Sequence, residues 1–146
     1  MTPTERLAAF TDAIRRLDGY NVQVAGELAA RHEALNLQDL MALSVLGAHG
    51  PSRMGEMAEH LDLAPASTTP IVDRLEAQGL ARRRRSDTDR RVWLVELAEA
   101  GEQVVTELDT IYHRAAAEML ASLTDAEQET FVRLFVKVAA GIGEAA

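Results

Sequence analysis

Ten consecutive residues, Arg82 to Arg91, read Arg-Arg-Arg-Arg-Ser-Asp-Thr-Asp-Arg-Arg. Six arginines and two aspartates give this stretch a local charge of +4 on a chain of −8, which leaves −12 for the remainder. A concentrated cationic segment on an acidic body marks one surface for a polyanion, while the rest of the molecule repels it. The arginines lie on both arms of an expected hairpin with Ser86-Asp87-Thr88-Asp89 at its tip. Such a finger has the charge and shape to enter a nucleic-acid groove. No catalytic constellation competes with it: there is no Ser-His-Asp order, no Gly-rich phosphate loop and no metal triad, so an enzyme is not expected.

The elements ahead of the finger must present it. Apolar residues at spacings of three and four (Leu7, Phe10, Ile14, Leu17, Tyr20, Val24, Leu28) predict a first amphipathic helix. Asn36, with Asp39 three residues on, caps a second helix whose Leu40, Leu43 and Leu46 face inward until Gly47 and Gly50-Pro51. A short helix over Met54 to Leu61 follows, with Ser52 as its expected cap, then a turn at Asp62-Leu63-Ala64-Pro65. The next helix is predicted from Ala66 to Gln78, ended by Gly79, with Pro70 near its first turn. After Leu80 the period changes to two: Trp93, Val95 and Leu97 alternate with Val92, Leu94 and Glu96, giving a two-stranded hairpin that must pack on helices. Helices from about Glu99 to Ser122 and from the Thr124-Asp125-Ala126-Glu127 capping box onward close the chain, the latter with a Phe131, Leu134, Phe135, Val138 stripe.

Helix, short helix, turn, helix and basic hairpin is the order of a winged helix-turn-helix, whose second helix enters the major groove while the wing reaches backbone or minor groove. Ser67, Thr68, Thr69 and Pro70 stand at the start of the expected recognition helix, and Arg74 one turn on is placed to reach backbone or a guanine. Ser52 and Arg53 open the first helix of the pair and complete the expected contact set.

The stretch Val72-Asp73-Arg74-Leu75-Glu76-Ala77-Gln78-Gly79-Leu80, followed by Arg83, Asp87, Asp89-Arg90-Arg91, Val95, Leu97 and Gly101, resembles the MarR family of bacterial transcription regulators. The resemblance implies a mainly α fold with a small β-hairpin wing: a winged helix-turn-helix over residues 35–98, flanked by dimerisation helices over 1–34 and 99–146. It further implies a homodimer on pseudo-palindromic double-stranded promoter DNA, usually a repressor relieved by a small ligand. In that arrangement Asp89 positions Arg91 as the minor-groove probe, and Arg84, Arg85 and Arg90 meet phosphates. Two departures stand out. Ala98 occupies the place where the family commonly has a threonine cap. The start of the expected recognition helix resembles that of peroxide sensors, which rely on a cysteine that this chain lacks.

Length and composition bound the rest. A chain of 146 residues forms one compact domain, or one with helical arms. Zero cysteines exclude disulfides and thiolate sites. No apolar run approaches the ~20 residues of a membrane span, so a cytoplasmic protein without a membrane partner is expected. No cofactor or metal is expected. His32-Glu33 and Asp109 with His113 are the only candidates for a zinc-responsive alternative, and His49 and His60 complete the histidines. Tyr20, Met41, Met54, Met57 and Tyr112 have the adaptable side chains of a pocket for a small aromatic or other organic effector. A second alternative is a winged-helix protein-interaction module, its arginines facing an acidic protein.

Overall fold

The computed structural model describes residues 1–145, in the order α1 (Pro3–Arg31), α2 (Leu37–His49), α3 (Met54–Leu61), α4 (Pro65–Ala77), β1 (Ala81–Arg85), β2 (Trp93–Leu97), α5 (Glu99–Leu120) and α6 (Asp125–Ala145). Helix starts follow their capping chemistry. The Asn36 side chain accepts from the Asp39 amide while the Asp39 carboxylate accepts from the Asn36 amide, a reciprocal box. Thr124 and Glu127 do the same for α6, as expected. Thr2 and Glu5 form a third box at α1, which the hydrophobic pattern alone did not disclose.

Two compact units can be described separately, Met1–Ile111 and the segment from Tyr112 onward. The core of the first is built from Leu28 of α1, Leu43 and Leu46 of α2, Met57 of α3, Ile71, Val72 and Leu75 of α4, Val95 of β2 and Leu108 of α5, each at most 2% exposed. Every element around the helix pair therefore contributes to one apolar centre, which fixes α4 against α2 and α3. In the second unit, α6 carries Phe131, Leu134, Phe135 and Val138 on its surface, with Phe131 and Phe135 stacked on one face. Among the described residues no helix is long and apolar enough to cross a membrane.

The hairpin is antiparallel, pairing Ala81 with Leu97, Arg83 with Val95 and Arg85 with Trp93. Its connection runs through residues 86–92, longer than the four-residue tip read from the sequence. Ser86 and Val92 close it by an N–H···O bond of 2.8 Å. Ser52 adds a single antiparallel bridge to Val95, exchanging two backbone bonds of 2.8 and 2.9 Å. This corrects the expectation that Ser52 caps α3. The N-cap is Arg53, whose amide donates to the Glu56 carboxylate at 3.0 Å, because Ser52 is already engaged in the sheet.

At the start of α5, where Ala98 offers no side-chain cap, the Ala98 amide donates to the Leu80 carbonyl at 3.0 Å and ties the helix to the residue ahead of β1. The helix crosses that carbonyl so closely that a Cβ on Gly101 would lie 1.9 Å from Leu80 O. Only glycine permits this approach.

Candidate nucleic-acid interface

Helix α4, the expected recognition helix, begins at Pro65, one residue earlier than predicted, so Pro70 falls in its second turn rather than its first. There it removes the amide that would pair with the Ala66 carbonyl. Thr68 and Thr69 turn their hydroxyls back onto the Ala64 and Pro65 carbonyls, at 3.2 and 3.3 Å. Ser67, Thr69, Pro70 and Asp73 are exposed and form the outward face, while Ile71, Val72 and Leu75 are buried.

Two expected contact residues lie inside the fold. Thr68 has no exposed surface and Ser52 is 2% exposed, its hydroxyl donating to the Gly50 carbonyl at 2.9 Å. Neither presents a donor to a partner, which corrects the sequence expectation. Alternation along a helix places Thr68 on the face of Ile71 and Val72, and composition at the helix start could not distinguish it from Ser67 and Thr69.

The arginines divide into two groups. Four are held by carboxylates within the fold. Arg74 donates Nη2 and Nε to the buried Asp39 at 2.8 and 3.1 Å, joining α4 to the first turn of α2. That hydrogen bond raises the guanidinium pKa further above its ordinary value. Arg74 thus tethers α4 to α2, with its side chain 41% exposed. Asp39, 1% exposed, would otherwise be a solvent-starved charge. Arg83 reaches from β1 to α4, with Nη2 on Asp73 at 2.7 Å and Nη1 on Glu76 at 2.5 Å, and its own amide also donates to Glu76. Arg82 and Arg84 share Glu96 across the strands at 2.7 and 2.8 Å. Their hydrogen bonds, Arg84's the larger, hold the Glu96 carboxyl below its ordinary pKa. The guanidinium of Arg84, expected at a phosphate, braces the hairpin through Glu96.

The second group is concentrated toward the tip. Arg91 is 92% exposed in its side chain, and the Asp89 carboxylate accepts from its backbone amide, Nε and Nη2 at 3.0–3.3 Å. Those bonds lower the Asp89 pKa. The expected positioner and probe are thus in contact. Arg90 is exposed and has no ion-pair partner among the described residues, and Arg53 at the start of α3 is exposed with its charge acting on Asp89. Arg85 lies with its guanidinium carbon 4.5 Å from the Trp93 ring centroid.

The remaining candidates are placed elsewhere. Met57 is wholly buried in the core, Tyr20 and Met54 are half-buried, and Met41 and Tyr112 are exposed. None of the five lines the cleft of about 390 Å³ bordered by Leu46, Pro51, Glu96, Leu97, Glu102 and Val105. The His32 Nε2 lies 2.8 Å from a Glu107 carboxylate oxygen without hydrogen-bond alignment, and His49 stacks on His60 at 3.8 Å. Trp93 was expected on the face of Val95 and Leu97 but is 50% exposed, and the Ser52 bridge was not foreseen, since an alternating strand pattern does not tell which end of a strand outruns the core.

A short helix pair followed by a braced cationic hairpin matches known proteins along its whole length. The sequence profile of the MarR family matches residues 35–93. A MarR family protein from Bacillus stearothermophilus superposes with a TM-score of 0.83 at 26% identity, covering 98% of this chain and 99% of that one. The helix pair and hairpin of this chain, residues 35–93, are similar to those of the MarR family. Rv1404 from Mycobacterium tuberculosis has a similar fold, with a TM-score of 0.76 at 25% identity over 94% of both chains. The HTH-type transcriptional regulator YsmB of Bacillus subtilis is 26% identical over 136 residues, 93% of this chain and 92% of its own. Over residues 35–93 the chain shares the winged helix-turn-helix architecture of HTH-type transcriptional regulators.

Proposed function

We propose that this regulator is a cytoplasmic homodimer that binds pseudo-palindromic promoter DNA, represses, and is released by a small organic ligand. The observation that carries DNA recognition is the tip itself: exposed Arg90 and Arg91, the latter pre-oriented by Asp89, on a hairpin fastened to α4 through Arg83. Fixing the guanidinium beforehand lowers the entropy lost on groove insertion. Residues 35–98 form the reading head. Ser67, Thr69 and Pro70 on the exposed face of α4 meet the major groove, and Arg53, Arg85 and Arg90 meet phosphates.

Dimerisation through residues 1–34 and 99–146 is supported by apolar side chains left in solvent. On α1 these are Leu7, Phe10 and Ile14, at 67%, 58% and 42% exposure; on α6 they include Phe135 and Ile142, at 54% and 68%. Apolar stripes of this size on helices mark surfaces that associate. An effector role is supported by the cleft of about 390 Å³, within the size range of small-molecule sites. Glu96 lines it and also holds Arg82 and Arg84, so an occupant would act directly on the hairpin.

The test combines sedimentation with duplex titration. A dimer is expected in solution, and Arg91→Ala should weaken specific duplex binding by about 1–3 kcal/mol without altering sedimentation. A monomer at working concentration, or Arg91→Ala binding like wild type, contradicts the proposal.

A further inference from the structure

Trp93 has no role in the contacts assigned so far, yet it is a large apolar ring left 50% exposed on a cationic hairpin. Its position follows from the strand register. Trp93 pairs with Arg85, two residues outward from the Val95–Arg83 pair, and residues two apart on a strand share a face. Val95 on that face is 1% exposed, and Arg83 beside it bonds Asp73 and Glu76 of α4. The Trp93–Arg85 patch therefore lies on the helix-side face of the hairpin. It sits between the part fastened to α4 and the loop that carries Arg90 and Arg91. A duplex touching both the outer face of α4 and the tip must cross it.

The chemistry of the patch suits a sugar–phosphate strand. The indole offers a flat apolar surface to deoxyribose. It also covers one face of the Arg85 guanidinium, 4.5 Å above the ring, while Arg85 Nη1 donates to the Arg90 carbonyl at 2.5 Å. Stacking and that hydrogen bond immobilise Arg85, and among the described residues no carboxylate pairs with it. We infer that Trp93 and Arg85 form a composite contact for the DNA backbone strand lying between the recognition helix and the wing tip. Trp93 touches sugar and Arg85 a phosphate. This rests on the DNA-binding reading above and extends it to a residue whose contribution is apolar.

Trp93 is the sole tryptophan of the chain, so its own emission reports the contact. The protein is titrated with a mixed-sequence duplex of about three helical turns (about 30 bp), and binding is followed in parallel by anisotropy of a labelled duplex. On saturation the Trp93 emission should be quenched or shifted. Trp93→Ala should bind about tenfold more weakly at every salt concentration, with the log–log salt slope unchanged because no charge is lost. Trp93→Phe, which keeps a ring over Arg85, should stay within about threefold of wild type. Unchanged emission at saturation overturns the contact even where Trp93→Ala fails to fold. Trp93→Ala binding like wild type, while Arg91→Ala is weakened, overturns this contact and leaves the DNA reading standing. Failure of wild type to bind any duplex removes both.

Discussion

Neighbouring arginines of one run should give opposite signatures when removed, and the structure sets the sizes. Arg90 is exposed at the tip without a carboxylate partner, whereas Arg83 is held at 2.5–2.7 Å by Glu76 and Asp73. Each phosphate neutralised contributes about −0.9 to the slope of log affinity against log salt. Arg90→Ala removes one contact per subunit, so the slope of a dimer should become shallower by about 1.8, with the melting temperature unchanged. Arg83→Ala should leave the slope unaltered and cost about 1–3 kcal/mol of folding stability, because the hairpin loses its charged hydrogen bonds to α4. The whole inventory is bounded in the same way. With Arg53, Arg85 and Arg90 meeting phosphates in each of two subunits, the wild-type slope should be about −5. If Arg82, Arg83 and Arg84 also met phosphates, it would approach about −11. Duplex titrations over a range of potassium chloride concentrations, with urea melts of the same preparations, measure both quantities. A shallower slope for Arg83→Ala, or an unaltered one for Arg90→Ala, would refute the division of the arginines into braces and contacts.

Three further outcomes follow from the packing and the charges. Gly101→Ala places a methyl group against the Leu80 carbonyl, so the start of α5 must shift; a loss of about 1–3 kcal/mol or more is expected in thermal or urea unfolding. Asp39→Asn leaves Arg74 with a neutral partner and weakens the joint between α2 and α4; because the Arg74 side chain is 41% exposed, the cost should be about 1–3 kcal/mol, read from the urea midpoint. Glu96 has a folded-state pKa below its unfolded value, so its ion pairs stabilise the fold above the ordinary carboxylate range. That contribution is lost as pH falls through the folded pKa. Urea midpoints measured down an acid series should therefore fall less steeply for Glu96→Gln than for wild type, from a lower starting value at neutral pH.

How much of this was legible beforehand depends on the range of the interaction. Helices α2 and α6 announced themselves through their capping boxes at Asn36 and Thr124, because caps are satisfied within three residues. The hairpin was legible from the change of period after Leu80, and the Asp89–Arg91 contact from the resemblance to the MarR family. Helix α4 began earlier than expected because Pro65, read as part of a turn, is equally suited to a first helical position.

Local sequence, then, determined the order of elements, their periodicity, and the concentration of positive charge on one hairpin of an acidic chain. The tertiary structure alone decided what each charged or hydroxyl group does. Arg74 finds Asp39 thirty-five residues away, Arg83 finds Asp73 and Glu76 across the gap between strand and helix, and Ser52 pairs with Val95. Thr68 sinks into the core while Ser67 beside it stays in water. An arginine in a run carries the same charge wherever it points. Whether a carboxylate or solvent surrounds its guanidinium depends on contacts between distant segments, and those exist only once the apolar centre has brought α2, α4 and the hairpin together.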